Sequence, residues 1–270
     1  MKRNYQEEVV SPLYDLDARI SVGVCATVGS SVKRYSLYYA QTNNHVQIGN
    51  FTSTEPYSNN KIDPLPKILL TAGIHGDEPA GVYALLRFMQ GPLLNYLDRF
   101  NFLIFPCLNP WGFENDKRKN INGVDINRSF MMNTSVVALV LKTLIRDNLI
   151  YSFAMNLHED DPLKPVGNLP IETNPRAFYL YEEQLNGRSI GMPIIRKLRD
   201  QEVKICSDVS IYGEGNQGGV IYSRSTSGEL EQFLQRFTNN ILTPETPTIW
   251  PLEERVRVHL IAIEAALNMF

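Results

Sequence analysis

The sequence predicts an α/β fold of three layers, α/β/α, with a mixed, mostly parallel central sheet covered by helices on both faces. Two observations carry that expectation. From Lys67 onward, short apolar runs rich in β-formers alternate with longer segments of helical period. No repeat, low-complexity tract or long linker divides the 270 residues, so 1–270 reads as a single domain.

The elements follow in order. Residues 1–19 read as a polar lead-in with an apolar anchor around Leu13 and Leu16. Ile20–Ala26, Ser36–Ala40 and His45–Ile48 suggest antiparallel strands that start the sheet. Residues 57–61, with prolines on both sides, form a loop. Strand–helix alternation then begins: strand Lys67–Ala72, helix Ala80–Gln90, strand Phe100–Cys107, a long polar loop to about Phe130, helix Thr134–Asp147 capped by Asn133 or Thr134, and strand Leu149–Leu157. A second long loop, 159–176, carries prolines at 162, 165, 170 and 175. After it come strand Phe178–Tyr181, helix Ile190–Asp200, a glycine-rich loop Gly213–Gly219, helix Gly228–Thr238, a short strand Ile241–Thr243 and the final helix Pro251–Phe270. That helix has apolar residues at 252, 256, 260, 263, 267 and 270, and its proline sits in the first turn, where a missing N–H costs nothing.

Composition removes several functional classes. Apolar residues make up 43% and charged residues 20%, an ordinary globular balance. A net charge of -3 leaves no electrostatic footprint for nucleic acid or an anionic membrane. Cys25, Cys107 and Cys206 have no metal-type spacing and fit buried thiols in a reducing compartment. The polar start, Met1–Glu8, carries no signal-peptide apolar stretch, and no run reaches membrane-spanning length, so a cytoplasmic location is expected.

In open α/β sheets, sites gather at the carboxyl ends of the strands. His75 and Glu78 follow the strand ending at Ala72, in Gly73-Ile74-His75-Gly76-Asp77-Glu78-Pro79-Ala80-Gly81. Arg118, Asn127 and Arg128 lie in the loop after Cys107, His158 follows Leu157, and Glu245 follows Thr243. Catalytic zinc takes three protein ligands and keeps one position open, and two His with one Glu is a standard set. An isolated H-x-x-E on a turn decides little. Of the four histidines, His45 and His259 read as surface or packing residues, which leaves His75 and His158 to complete a set with Glu78. A structural zinc site needs a fourth His or Cys, and none lies near. Hydrolysis also needs a base, for which Glu245, Glu159 and Asp160 are candidates. An arginine near the metal can stabilise an oxyanion, and a guanidinium can hold a carboxylate. Asp125 reads as a residue that orients a ligand histidine or an arginine, while Lys117 and Lys119 read as solvated.

The set His75-x-x-Glu78, Asn109-Pro110-x-Gly112, Arg118, Gly123-Val124-Asp125-Ile126-Asn127-Arg128, His158 and Thr243-x-Glu245 resembles the zinc carboxypeptidases of the carboxypeptidase A clan. That family includes murein-peptide amidases and the succinylglutamate desuccinylase/aspartoacylase deacylases. The resemblance runs from about residue 67 to 247. It implies one Zn2+ per chain on His75, Glu78 and His158, with Glu245 as general base and Arg118 polarising the scissile carbonyl. Asn127 and Arg128 would grip the substrate carboxylate. It also implies a mobile substrate-capping tyrosine, for which Tyr222 is the first choice and Tyr212 the second. The Glu78–His158 interval is short beside digestive carboxypeptidases, so the segments that build their specificity pockets are trimmed, as in small bacterial members near the amidase and deacylase branches. The function implied is hydrolysis of an amide bond next to a free carboxylate, on a small peptide. The alternative is deacylation of an N-acyl amino acid, which would gain from a basic residue such as Arg224 over a narrow pocket. A catalytically silent binding protein would leave every one of these roles unused.

Overall fold

The strands of this computed structural model alternate their side chains between two apolar layers, and that alternation fixes where everything else sits. The structure describes residues 2–42, 65–147, 150–184, 189–222 and 229–270. His45, the predicted His45–Ile48 strand, the 57–61 loop and Arg224 lie outside them.

In chain order the elements are a π-helical turn (Gln6–Val10) running into α1 (Ser11–Tyr14), β1 (Ile20–Gly29), β2 (Arg34–Thr42), β3 (Lys67–Ala72), α2 (Ala80–Gln90), β4 (Asn101–Phe105), α3 (Pro110–Asn115) and α4 (Val136–Asp147). There follow β5 (Phe153–Asp160), β6 (Tyr179–Gln184), α5 (Gly191–Asp200), β7 (Ser210–Ile211), β8 (Glu214–Gln217), β9 (Val220–Tyr222), α6 (Leu230–Leu234), β10 (Asn240–Pro247) and α7 (Leu252–Leu267). They build a ten-stranded sheet in the order β1-β2-β4-β3-β5-β10-β6-β9-β8-β7. The four central strands β4, β3, β5 and β10 are parallel, while β2 pairs antiparallel with β4, and β6 antiparallel with β10. The predicted mixed α/β sheet is therefore observed: β4, β3, β5 and β10 form its parallel centre, and β6 and β9 pair in parallel farther out.

On one face, Ile68, Leu70, Phe102, Ile104, Met155, Leu157 and Leu242 pack with residues of α2, α5 and α7. On the other, Leu69, Leu103, Phe105, Ala154 and Ile241 pack with α4 and α6. This period-two division is what buried strands covered by helices on both faces require. Each fully buried aliphatic side chain contributes roughly 1.5–3 kcal/mol.

Several boundaries differ from expectation for identifiable reasons. The lead-in is helical, because Tyr5, Val9, Val10 and Leu13 bury one face. Asn109 caps a short helix that its Asn-Pro-x-Gly wording encodes: Asn109 Oδ1 accepts from Gly112 N at 3.0 Å, and Pro110 takes the first helical position. Ser135, rather than Asn133 or Thr134, provides the cap at α4, its Oγ accepting from Val137 N at 3.2 Å. The glycine-rich loop is a β7–β8 hairpin, turned at Tyr212-Gly213 with both residues at positive φ (51° and 86°). β10 continues through Pro244 to Pro247. Its pairing with β5 pauses after Leu242↔Met155 and resumes at Glu245↔His158, which accommodates a proline that cannot donate to the ladder. β5 likewise extends to Asp160, so His158, Glu159 and Asp160 are strand residues with alternating faces. In α7 the buried set includes Val258, His259, Ala262 and Ala266, because the helix lies against both α2 and α5 as well as the sheet.

Candidate metal and active site

The site forms where the two side-chain layers turn polar at the carboxyl edge of the parallel block. On the α4/α6 face, the positions that continue Leu69, Ala154 and Ile241 are Thr71, Asn156, His158, Thr243 and Glu245, all buried. Glu245 stands directly opposite His158 on the neighbouring parallel strand. Adjacent strands lie about 4.8 Å apart, so these two side chains share one face at that spacing.

The Gly73–Gly81 turn delivers His75 and Glu78 to the same edge. Gly73 adopts φ 61°, which only glycine takes without strain. Gly76 passes so close to Gly112 of α3 that a Cβ would overlap its backbone. Arg3 secures the crossing by donating to Gly76 O at 2.9 Å and to Phe113 O at 2.7 Å. Gly81 lets α2 settle on β5, since a Cβ there would lie 2.7 Å from Leu157 Cβ.

His75, Glu78 and His158 each offer a ligand atom within 4.8 Å of the others, and all three residues are buried. His75 Nδ1 lies 2.7 Å from Glu78 Oε1 and His158 Nδ1 lies 2.8 Å from Glu78 Oε2. The opposite ring nitrogens are backed: His75 Nε2 is 3.3 Å from Asp125 Oδ1, and His158 Nε2 is 2.7 Å from the Asn156 side-chain amide. Burial alone would raise the Glu78 carboxyl, but the charges and hydrogen bonds of the two histidines reverse this and hold it well below its ordinary value. Burial opposes protonation of His75, while Glu78 and Asp125 more than offset it and raise its pKa. The cluster is thus built to stabilise a positive charge at its centre. Two imidazole nitrogens and a carboxylate converging there fit a divalent metal, with zinc favoured by the donor set.

Arg118 reaches the same centre. Its Nη1 is 3.4 Å from Glu78 Oε1 and its Nε donates to Asp125 Oδ2 at 3.1 Å. Asp125 thereby joins His75, Arg118 and, by accepting from Asn127 N at 3.1 Å, the turn that bears Asn127 and Arg128. Lys117 and Lys119 are exposed, as expected. Glu159 faces away from Glu245, and Asp160, on the Glu245 side of β5, is held by two tyrosine hydroxyls. Glu159 points to the α2/α7 face, where Oε2 accepts from Ala80 N at 2.9 Å and Oε1 pairs with Arg255; burial raises its pKa to about 7. Asp160 accepts from Tyr179 at 3.0 Å and from Tyr212 at 2.7 Å.

The structure does not bring Tyr222 to this centre. β6 and β9 run opposite to β10, so residues later in β9 lie farther from the carboxyl edge. Tyr222 is level with Leu242, and its hydroxyl contacts Ser189 Oγ at 3.1 Å. Tyr212, the second choice, reaches the end of β5, its hydroxyl donating to Asp160 beside that of Tyr179.

The sequence marks a helix over 228–238 but does not mark its first residues as part of the site. Glu229 ion-pairs with Arg128, Leu230 N donates to Asn127 Oδ1 at 3.1 Å, and Glu231 Oε1 accepts from Asn156 Nδ2 at 2.6 Å and Thr243 Oγ1 at 3.4 Å. Three consecutive residues therefore support the arginine turn and the strands of His158 and Glu245. Glu231 is buried, which only the fold reveals.

With this geometry in view, the fold is similar to that of solved structures described as metallopeptidases. A candidate metallopeptidase from Shewanella amazonensis superposes with a TM-score of 0.76 at 21% identity, over 98% of this chain and 91% of that one. A metallo-carboxypeptidase from Burkholderia cenocepacia gives 0.61 at 15% identity, over 98% of this chain and 67% of that one. In sequence, residues 64–158 match the succinylglutamate desuccinylase/aspartoacylase catalytic domain family. Carboxypeptidase D of Mus musculus is 26% identical over 205 residues, and carboxypeptidase SOL1 of Arabidopsis thaliana is 37% identical over 79. The matches span only 14% and 16% of those two proteins. Among the described residues, no helix is long and apolar enough to cross a membrane.

Proposed function

We propose that the chain is a zinc-dependent metallocarboxypeptidase that hydrolyses an amide bond next to a free carboxylate. The observation that carries this reading is the convergence of His75, Glu78 and His158, with Glu245 directly opposite His158. When bound, the metal supplies Lewis-acid activation of the attacking water and the scissile carbonyl. Glu245 takes a proton from that water and delivers it to the leaving nitrogen, so one O–H and one C–N bond break as C–O and N–H bonds form. Arg118, already drawn to the cluster by Glu78, is the donor for the developing oxyanion. Asn127 and Arg128 hold the substrate carboxylate, and Asp125 ties their turn to His75. Tyr212, whose hydroxyl donates to Asp160 two residues beyond His158, takes the substrate-capping role.

A second reading, N-acyl amino acid deacylation, draws support from the family match over residues 64–158. Both readings use the same metal, base and arginines and differ in the acyl group. A panel of C-terminal peptides, murein peptides and N-acyl amino acids separates them. The carboxypeptidase reading expects turnover of a peptide with a free C-terminus and about 10²–10⁴-fold less with Glu245→Gln. Equal turnover by the two proteins would remove Glu245 from the mechanism.

A further inference from the structure

The loop between α3 and α4 has two sides. One meets the metal cluster: Asp125 Oδ1 is 3.3 Å from His75 Nε2, and Arg118 Nη1 is 3.4 Å from Glu78 Oε1. The other walls a cavity of about 140 Å³, completed by the end of β1, the 108–111 stretch and the start of α4. β1 stands three strand positions from β3, about 14 Å at ordinary strand spacing. Neither the metal cluster nor Arg118, Arg128 or Glu245 lines the cavity. Among the described residues its lining carries no charge. Leu108, Ile126 and Val137 form a buried apolar floor, while Thr27, Asn122 and Thr134 are exposed and neutral. Ser135, buried at the start of α4, accepts from Val137 N at 3.2 Å, and its O–H is a donor. The turn 120–124, on the cavity side, is closed by its own hydrogen bonds. Asn120 Oδ1 accepts from Asn122 N and Val124 N, each at 3.0 Å, and Gly123 N donates to Asn120 O at 2.9 Å. Asp125 follows at once, and Ile126 then returns to the cavity floor. The carboxylate that holds His75 and Arg118 thus lies between two segments that face the cavity.

We propose that this cavity is a binding site for a small neutral molecule of single-ring size, apolar on one face and hydrogen-bonding on another, whose binding steadies the turn 120–124 and Asp125. The cavity lies outside the catalytic machinery, so the proposal does not depend on the carboxypeptidase reading. The size follows from the volume, since an apolar cavity of about 150 Å³ takes benzene. The charge follows from the lining. Moving an ion out of water into a wall with no opposite charge is unfavourable, whereas a neutral group that finds hydrogen-bond partners loses little. The effect on the turn follows from packing. Side chains that line a cavity make fewer contacts on that side, and a ligand supplies them. Opening the turn would break those contacts, so a ligand that binds only the closed wall stabilises it.

Benzyl alcohol is the probe, and benzylammonium, the same ring bearing a positive charge, is its control. Each is titrated into the zinc-loaded protein with labelled Ile, Leu and Val methyl groups, followed by NMR. Benzyl alcohol is expected to shift the Ile126 and Val137 methyls saturably, with a Kd on the order of 1 mM. Benzylammonium is expected to leave them unmoved. With benzyl alcohol at about ten times Kd, amide exchange at Gly123 and Val124 is expected to slow by about tenfold. Val137→Phe and Thr27→Trp fill the cavity from opposite walls, and each is expected to abolish the methyl shifts. Absence of a saturable shift at Ile126 and Val137 in wild type overturns the site, whatever the variants do. Equal shifts with benzylammonium overturn the neutral class, and shifts that survive in both folded variants place the probe elsewhere. Unchanged exchange at Gly123 and Val124 overturns the link to the turn. All of these readouts are independent of turnover, so their failure is distinct from failure of the proposed reaction.

Discussion

The two faces of the sheet at its carboxyl edge both carry buried polar side chains, yet they do different things. On the α4/α6 face, His158 converges with His75 and Glu78, Glu245 stands opposite His158, and each of the two histidines is backed by a polar side chain. On the α2/α7 face, Glu159 pairs with Arg255 and caps the start of α2, and Thr246 Oγ1 lies 3.2 Å from His259 Nε2. One face gathers donors of one kind around a common point. The other joins opposite charges and closes upon itself. Successive residues of one strand, His158 and Glu159, are divided between the two by nothing more than the period of two. A strand end can in this way hold a reactive group on one side and its mechanical support on the other.

If that division holds, substitutions on the two faces should separate function from stability. The largest effect belongs to Glu245→Gln, which is expected to lower kcat by about 10²–10⁴-fold while metal content and Tm stay near wild type. A parallel loss of metal or a collapse in Tm would show that Glu245 braces the sheet instead. Arg255→Met leaves Glu159 buried without its cation. It is expected to cost about 3 kcal/mol, a Tm loss on the order of 10 °C, with metal stoichiometry preserved. Thermal unfolding followed beside metal analysis would contradict the division if metal were lost before stability. Glu231→Gln, which alters the network behind His158, is expected to weaken metal affinity by about tenfold. Competition with a chelator measures this, and an unchanged affinity would detach Glu231 from the site.

The smallest effect concerns His259. Burial, reinforced by the Arg255 charge, pushes its pKa from 6.5 down to about 3. The unfolded chain therefore binds the proton below pH 6.5 and the folded chain does not, so stability is intact above 6.5 and falls as the pH drops toward 3. His259→Leu is expected to flatten that acid limb in a Tm–pH series. A limb as steep as wild type would assign the acid sensitivity to other groups.

Much of this was legible in the sequence. The apolar runs ending at Ala72 and Leu157 located two central strands, and the residue types just beyond pointed to His75, Glu78 and His158, which the fold gathers, because a parallel sheet presents its carboxyl ends along one edge. What the sequence hid depends on chain direction and on partners far away in the chain. Tyr222 looked well placed because it precedes Glu245, but β9 runs the opposite way and carries it from the edge. Glu229 and Glu231 carry no local mark of their role, because only the tertiary fold brings Arg128 and Asn156 against them. Pro244 argued against a long β10, since the pause in its pairing with β5 is invisible in composition.

The most direct test of the central claim is metal stoichiometry. After removal and reconstitution, wild type is expected to bind one zinc per chain, and a folded His75→Ala/His158→Ala variant close to none. Stoichiometric zinc in that double variant would contradict the assignment of His75, Glu78 and His158 as the metal site.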